Sequence, residues 1–300
     1  MKKNSQIAII GAGAPSCVLA LHLEKKKYDI TIFEKSKNIG GAWGVDKSGS
    51  KYSNIIYPLS KNEHKIFKKA YVYLKGVGIE FKKNIEKSLF SKKIVKASSC
   101  NFSNFYNIVE KKIKIKKNCN VTSVTEKEER IIINNKFYFD HVIFPTYVDI
   151  NKFEINKKNL KKNIHLPYEK INKSLHVRAL VSNIYKSNLT YNKLTIGPMD
   201  RCQVIKKNKS TFQINGRILL DWKKKSKEEI KKKIIQTNIF QKLLKINFFI
   251  YESCIRNSKN IKILKKRLGK SKRIHYLETY TLLEFIEKNI FKKKLLKLLK

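Results

Sequence analysis

Close to the N-terminus, three small residues and one acid have the types and the spacing that bind the phosphates and a ribose of a dinucleotide. Gly11, Gly13 and Ser16 follow a short apolar run, and Glu34 ends a second apolar run 23 positions after Gly11. A first glycine permits a tight turn, and a second lets a pyrophosphate approach the backbone. An acid about 20 residues further along can accept hydrogen bonds from both ribose hydroxyls. The pattern therefore predicts a dinucleotide site.

The elements that would position these residues follow the order strand, turn, helix, strand. Residues 7–10 and 30–33 are typical of buried parallel strands, and the apolar residues in 18–23 have helical spacing. Pro15 suits the first turn of a helix, whose free N–H groups and dipole favour an anion. Ser16 replaces the usual third glycine, so we expect slightly wider packing of the helix on the strand. The alternative is a glycine-rich turn in a doubly wound fold that binds no nucleotide.

A second glycine pair, Gly40-Gly41, follows the acid closely and precedes Ala42-Trp43-Gly44. With it, residues 6–45 resemble the N-terminal FAD-binding segment of the flavoprotein superfamily that includes amine oxidases, protoporphyrinogen oxidase, phytoene desaturases and UDP-galactopyranose mutase. NAD-only dehydrogenases usually lack this pair. The resemblance implies FAD as the cofactor. It also implies three groups of contacts: Gly11, Ala12, Gly13, Ala14 and Ser16 at the pyrophosphate; Glu34 and Lys35 at the adenosine ribose; Gly41, Ala42 and Trp43 along the ribityl chain or flavin edge.

A weaker similarity extends the resemblance to about residue 150. Residues 119–124 read CNVTSV, a hairpin is predicted at Asn134-Asn135, and residues 139–146 read FDHVIFPT. In the resembled superfamily, a residue placed like Val121 meets the adenine through its backbone. A strand placed like residues 142–144 completes the nucleotide-binding sheet.

The remaining chain predicts a second, antiparallel layer. Residues 62–74 indicate an amphipathic helix that Gly76 and Gly78 end, residues 81–107 have no clear period, and residues 108–115 favour a strand. Strand-like runs between residues 176 and 222 are typical of an antiparallel sheet, whereas residues 227–250 and 279–300 have helical patterns. We expect an α/β fold: a Rossmann-like FAD/NAD(P)-binding domain (1–150), an antiparallel-sheet substrate layer (151–225) and a C-terminal helical segment packed on the core (226–300).

No pair of titratable residues has a spacing that compels a catalytic assignment, and no metal site is indicated. Several polar and aromatic side chains could face the cofactor or a cavity, although each is more often a core or surface residue: Tyr52, Asn54, Tyr57, His64, His165, His176 and Arg178. The chain has no second G-x-G-x-x-G pattern, so a separate NAD(P)H domain is not expected. It lacks the late Gly-Asp dipeptide of the resembled flavoproteins, and residues 275–280 (HYLETY) are the candidate replacement.

The formal net charge is +44, yet only 7 of the 67 basic residues are Arg. Nucleic-acid readers usually favour Arg, and the Lys residues here are scattered, so A/T-rich coding bias is favoured over a polyanion-binding surface. Five widely spaced cysteines suggest no disulfide framework and fit a reducing cytoplasm. No apolar run reaches about 18 residues, so no membrane span is expected. The basic C-terminal helix is expected to pack on its own domain, although contact with anionic lipid is an alternative.

The resemblance implies an FAD-dependent oxidoreductase whose flavin accepts hydride from a small-molecule substrate. A divergent nucleotide-binding protein without redox chemistry is the first alternative. A polyanion- or membrane-binding protein on a Rossmann scaffold is the second. No specific nucleic-acid partner is expected, and the sequence leaves the oligomeric state open.

Overall fold

The computed structural model describes residues 5–41, 55–58, 61–87, 94–145, 154–155, 158–159, 168–185, 196–256, 262, 271–277 and 282–293. The strands along the described chain are β1 (Gln6–Ile10), β2 (Asp29–Phe33), β3 (Ile55–Pro58), β4 (Glu80–Lys87), β5 (Ile94–Asn101), β6 (Lys114–Lys116), β7 (Ser123–Lys127), β8 (Arg130–Ile133), β9 (Phe137–Phe139), β10 (His141–Pro145), β11 (Glu154–Ile155), β12 (Lys158–Asn159), β13 (Tyr168–Ile184), β14 (Met199–Lys206), β15 (Thr211–Ile218), β16 (Phe240–Arg256) and β17 (Ile274–Leu277). The helices are α1 (Ala14–Glu24), α2 (Lys61–Gly76), α3 (Ser103–Lys112), α4 (Lys227–Ile235) and α5 (Leu282–Phe285), which continues into a π-helical turn, Ile286–Phe291.

A five-stranded parallel sheet in the order β17-β10-β1-β2-β6 forms the centre of the nucleotide-binding layer. The central strands β1 and β2 are apolar and mostly buried because both faces of the sheet are covered there, whereas the edge strand β6 is partly exposed. One face packs on α1, α2, α3 and α5 through a core that includes Leu19, Leu74, Phe105 and Phe285, all at most 1% exposed. The predicted strand–helix–strand unit is confirmed, with α1 joining β1 to β2.

The other face of the parallel sheet is covered by the antiparallel strands β7, β8 and β9. Val124 and Ile131 pack there against Phe33 and Val142. The predicted hairpin is confirmed: Asn134 and its neighbour Asn135 have φ of 51° and 57°, the left-handed conformation that asparagine tolerates. The resulting layers are helices, parallel sheet and antiparallel strands.

A second sheet has the order β14-β15-β13-β16 and is antiparallel throughout. One of its faces packs against Ile230 and Ile234 of α4 in a separate apolar core. The α/β fold with parallel and antiparallel sheets agrees with the prediction. None of the helices in the described part of the chain combines the length and apolar composition needed to cross a membrane.

Two local predictions are wrong, and a stretch with no assigned element contains regular structure. Residues 108–112, predicted as strand, are the end of α3, and the unassigned stretch 81–107 contains most of β4 and all of β5. The segment 236–250, predicted as helix, contributes to β16, because its aromatic and β-branched side chains pair with β13 over most of that strand's length. Within the predicted helical segment 226–300, β16 joins the antiparallel sheet and β17 joins the parallel sheet.

Candidate functional site

The candidate site lies in the turn between β1 and α1, at the carboxyl edge of the parallel sheet. Gly11 has φ of +86°, a left-handed conformation that glycine adopts without the strain of a side chain. Its N–H donates to the carbonyl of Phe33 over 2.8 Å, which ties the turn to the end of β2. Gly13 is the N-cap of α1, and its carbonyl accepts a 3.0 Å hydrogen bond from the N–H of Cys17. The turn is therefore fixed from both sides by backbone hydrogen bonds.

The outer surface of this turn is made largely of backbone. Ala12 and Ala14 are buried, whereas Gly11 and Gly13 are partly exposed. A Cβ built on Gly13 would meet no described atom nearer than Cδ of Pro15, at 3.9 Å. No side chain caps the N-terminus of α1. The positive end of the helix dipole therefore faces the open space beside Gly13. This arrangement suits an anionic group.

Glu34 lies directly beside the turn and is 7% exposed. Its Oε2 accepts a 2.8 Å hydrogen bond from the N–H of Ala12, and its Oε1 accepts one of 2.8 Å from the N–H of Ser36. A nearly buried carboxylate is tolerated because these donors replace water. The carboxylate and the glycine turn thus form one rigid unit.

The second glycine pair packs onto the first glycine turn. The N–H of Gly40 donates to the carbonyl of Ala12 over 2.6 Å, and Gly40 and Gly13 form a parallel β-bridge. Gly40 and Gly41 have φ of +100° and +56°, and a Cβ on Gly41 would lie 3.7 Å from Cα of Gly13. Gly40 was missing from the predicted site residues. The glycine pair itself was the signal that could have included it, since a side chain disfavours such φ values.

Of the other predicted contacts, Val121 is buried in the core on one face of the parallel sheet, and Lys35 is exposed. Val121 is 4% exposed and belongs to the same apolar cluster as Phe33. Two residues earlier, the N–H of Cys119 donates to the carbonyl of Glu34 over 2.9 Å. Lys35 is exposed immediately after the acid. The structure therefore brings the backbone around Val121 to the acid end of the candidate site.

Ser16 and Cys17, near the start of α1, are buried in the protein interior. Ser16 is 2% exposed, and Sγ of Cys17 donates to the carbonyl of Ala12 at 3.5 Å. Burial raises the pKa of the Cys17 thiol, and the nearby carboxylate of Glu34 raises it further. Cys17 therefore stays protonated and is unsuited to nucleophilic chemistry.

Several predicted residues lie outside what the structure describes. These are Ala42, Trp43, Tyr52, Asn54 and His165. Only the backbones of Tyr57, in β3, and His64, in α2, are described. His176 and Arg178 lie on β13 in the antiparallel sheet. Among the described residues, no group of three or more His, Cys, Asp or Glu side chains is placed to hold a metal ion.

Known proteins resemble this chain in a short N-terminal stretch of sequence and, separately, in the overall fold. Residues 9–52 match the family described as NAD(P)-binding Rossmann-like domain. A stretch of 56 residues is 43% identical to the tRNA 5-methylaminomethyl-2-thiouridine biosynthesis bifunctional protein MnmC of Campylobacter jejuni, and it covers 19% of this chain and 9% of that protein.

Solved structures match over the whole length. A protein assigned as a protoporphyrinogen oxidase from Exiguobacterium sp. 255-15 matches with a TM-score of 0.65 and 8% identity, over 100% of both chains. Putrescine oxidase bound to putrescine matches with a TM-score of 0.65 and 8% identity, over 98% of this chain and 99% of that one. Identity this low shows a shared fold. Residues 9–52 therefore resemble an NAD(P)-binding Rossmann-like domain, within a fold that the chain shares with solved structures of a protoporphyrinogen oxidase and of putrescine oxidase.

Proposed function

We propose that the protein is an FAD-dependent oxidoreductase that acts on a small molecule. The observation that carries the proposal is the rigid unit made by the turn Gly11–Gly13, the carboxylate of Glu34 and the glycine pair Gly40-Gly41. The open backbone surface at the start of α1 suits the pyrophosphate of the cofactor, and the carboxylate of Glu34 suits the ribose of its adenosine. The fold shared with flavoproteins supports the choice of cofactor.

The pyrophosphate would lie over Gly13, where the first N–H groups of α1 and the helix dipole meet open space. The absence of a side chain at Gly13 lets oxygen atoms of the phosphates approach the backbone within hydrogen-bonding distance. Pro15, at the start of α1, removes one N–H without breaking the helix, since that group would have no intrahelical partner. The main chain would therefore supply the phosphate contacts.

The ribose of the adenosine would bind at Glu34. An ionised carboxylate offers about four acceptor positions. The N–H groups of Ala12 and Ser36 occupy one position on each oxygen atom, which leaves about two for the 2′ and 3′ hydroxyls. A 2′-phosphate would instead place a negative charge against this carboxylate. The site therefore favours FAD or NAD over NADP.

Two features support FAD over NAD. The glycine pair Gly40-Gly41 lies against Gly13, where the chain would cross near the flavin half of a cofactor bound at the turn. In addition, β17 runs parallel to β10, with Leu277 opposite Pro145, so the chain leaves β17 at the same carboxyl edge of the sheet. Residues 275–280, the candidate replacement for the late Gly-Asp dipeptide of flavoproteins, begin in this strand. When bound, the flavin would supply the redox chemistry by accepting a hydride from the substrate. The chain's own role is to hold and orient it.

The test begins with visible absorbance of the protein purified without denaturant, before and after addition of FAD. We expect a flavin spectrum that survives gel filtration. A Gly13→Val substitution should weaken FAD binding at least about tenfold, because its methyl groups would enter the space over the turn. It should leave folding intact, since φ of −67° and ψ of 163° at Gly13 are ordinary for valine.

Gly76→Val is the matched control, because a Cβ at Gly76 also meets no described atom within 4 Å but lies at the end of α2. It should leave FAD binding unchanged. A protein that takes up no flavin, or a Gly13→Val variant that binds FAD as the parent does, would overturn the proposal. If FAD binds and raises the melting temperature but the protein shows no turnover with any electron acceptor, the result supports the non-catalytic nucleotide-binding alternative.

A further inference from the structure

Three helical elements meet at the amino edge of the parallel sheet, away from the candidate site. Helix α1 begins at the candidate site and is 11 residues long, so its other end lies about 16 Å away. The ring of His22, near this end, lies 6.2 Å from that of Tyr73 on α2. The ring of Tyr73 in turn lies 6.0 Å from that of Phe291, the last residue of the π-helical turn. These contacts bring residues that are distant in sequence to one surface.

Exposed lysines flank these three rings. Residues 25–27 follow α1 and residues 292–293 follow the π-helical turn, and all five are exposed lysines. Burial lowers the pKa of His22, and the charges of Lys26 and Lys25 lower it further, which places both ammonium groups within electrostatic range of this ring. In the part of the chain that the structure describes, none of the five lysines forms an ion pair with a carboxylate. Their charges are therefore available to a partner.

Two apolar side chains are exposed beside these lysines. Phe291 is 37% exposed although it contacts Tyr73, and Val72, the neighbour of Tyr73 on α2, is 78% exposed. Lys69 and Lys75 are exposed three residues before and after Val72, so they lie next to it on the helix surface. The surface thus combines exposed apolar side chains with positive charges around them. We call it the basic cap, and it consists of residues 25–27, 69, 72, 75 and 291–293.

Charge alone does not distinguish the basic cap, because lysines occur over the whole described surface. The exposed apolar side chains within the ring of lysines do distinguish it. An apolar side chain gains free energy when it leaves water for the boundary between the headgroups and acyl chains of a bilayer. Lysines near a bilayer that contains anionic lipids are attracted to its surface. The two kinds of side chain therefore suit one partner, an anionic lipid surface.

Nucleic acid is the other polyanion that lysines attract, and the composition of the basic cap fits it less well. Single strands are held by aromatic side chains on which bases stack, together with positive charges. Val72 has no ring, and its exposed methyl groups gain nothing from a phosphodiester backbone. The sequence that follows the cap, KLLKLLK at residues 294–300, continues the combination of lysine with aliphatic residues. Lipid is therefore the favoured partner.

We propose that the basic cap docks on the surface of an anionic lipid bilayer. Val72 and Phe291 would lie at the level of the headgroups, and the lysines would face the lipid phosphates and carboxylates. Because α1 separates the cap from the turn at Gly13, docking would leave the candidate site away from the bilayer. The proposal extends beyond the proposed redox function, since the cap would bind lipid whether or not the cofactor is present.

The test is co-sedimentation of the full-length protein with lipid vesicles. One set is phosphatidylcholine alone, and the other contains about 30% phosphatidylserine, both at about 0.15 M NaCl. The protein should bind the anionic vesicles at least about tenfold more tightly than the neutral ones. The double variant Lys292→Gln/Lys293→Gln should weaken this binding at least about tenfold, because each lysine near such a surface contributes about fivefold.

Two further variants separate the basic cap from the general positive charge. Lys231→Gln/Lys232→Gln, on the exposed side of α4, removes the same charge outside the cap and should bind the anionic vesicles nearly as the parent does. Val72→Ser removes an exposed apolar side chain without changing the charge, so it should not affect folding. It should weaken binding to the vesicles about threefold or more, and leave any binding of poly(U) RNA unchanged.

The outcomes that would contradict the proposal are specific. Absence of binding to the anionic vesicles, or equal losses in the two lysine double variants, would show that the cap is not a lipid-docking surface. If Val72→Ser binds the vesicles as the parent does, and Lys292→Gln/Lys293→Gln loses binding of poly(U) RNA, the surface binds nucleic acid and the proposal is overturned.

Discussion

Glu34 combines two roles at a single residue. Its carboxylate accepts backbone hydrogen bonds from Ala12 and Ser36, so it fixes the shape of the turn before any ligand binds. The same oxygens are the acceptors proposed for the ribose. Removing this side chain would therefore leave the buried N–H of Ala12 without its acceptor and lower stability as well as affinity. For this reason Gly13, whose surroundings are open, is the sharper probe of cofactor binding.

A second residue-scale feature is a buried histidine pair between β10 and β17. Nδ1 of His141 lies 3.1 Å from Nε2 of His275, and both side chains are less than a tenth exposed. One nitrogen must donate and the other accept, so at least one ring is neutral. Burial, and then the charge of His141, lower the pKa of His275 to about 4. Burial, and then the charge of Arg273, lower the pKa of His141.

The histidine pair predicts a loss of stability in mild acid. The pKa of His275 falls from 6.5 in the unfolded chain to about 4 in the folded protein. Below about pH 6.5 the unfolded state binds the proton first, so the free energy of unfolding should decrease as the pH falls toward 4 and level off below it. The shift corresponds to at most about 3 kcal/mol. Melting temperatures measured between about pH 7 and pH 4 should show this decrease.

His275→Gln removes the titrating ring while keeping a side chain that can hydrogen-bond to His141. We expect a lower melting temperature at pH 7 and a shallower decrease toward pH 4 than in the parent protein. If the two pH profiles run parallel, His275 is not the group responsible.

At the scale of elements, the connection between α2 and β4 depends on one glycine. Gly78 has φ of +84°, and a Cβ there would lie 3.4 Å from Cα of Phe105 and would collide with Cδ1 of Ile108. Both of these residues belong to α3, so the turn fixes the distance between two helices of the core. Gly78→Ala should lower the free energy of unfolding by about 1–3 kcal/mol, through backbone strain and overpacking. Denaturant titration measures the change.

Gly76→Ala is the matched control, two residues earlier in the same connection. Its Cβ meets no described atom within 4 Å, and alanine is a better helix former than glycine. Its stability should equal or exceed that of the parent. Equal effects of the two substitutions would mean that the packing of this turn on α3 does not constrain the fold.

Local sequence patterns predicted those elements that depend only on residues close together in the chain. The strand–helix–strand unit was found because its apolar runs, glycines and acid lie within 34 residues. Helix α3 was missed although Phe102, Phe105, Tyr106 and Val109 have the spacing of one helical face. Strand β16 could not be recognised in the same way, because its lysine-rich first half acquires a strand conformation only by pairing with β13. Non-local pairing leaves little trace in a short window of sequence.

The candidate site shows the same limit. Its glycines and its acid were predicted because each performs a local task, and the resemblance to flavoproteins supplied the second glycine pair. The contact between Gly40 and Gly13 could not be read from their spacing, since it arises when the chain after β2 returns to the turn.

At the scale of the whole molecule, the parallel sheet joins the two ends of the described chain. Strand β1 lies at its centre and β17, more than 260 residues later, forms one edge. Phe285 and Ile286, which follow β17, are buried in the same core as α1. The predicted boundary at residue 150 therefore separates segments that share one sheet and one core. The nucleotide turn depends on both of them for its support.

The net charge of +44 is the other property of the whole molecule. Exposed lysines occur on all of α1, α2, α3 and α4 or at their ends, so the positive charge is spread over the described surface. Ion pairs such as Lys117–Glu110 and Arg130–Asp140 are partly or fully exposed, and pairs of this kind contribute about 0–1 kcal/mol each. Self-repulsion among many like charges should therefore outweigh the attraction within such exposed pairs.

This balance predicts that salt stabilises the folded protein. Raising NaCl from about 0.01 M to about 0.15 M shortens the screening length from about 30 Å to about 8 Å, which weakens the repulsion. The melting temperature should rise by several degrees, and KCl should give the same rise because screening does not depend on the cation. A melting temperature that is constant or falls with salt would mean that attractive ion pairs, rather than net repulsion, dominate the surface.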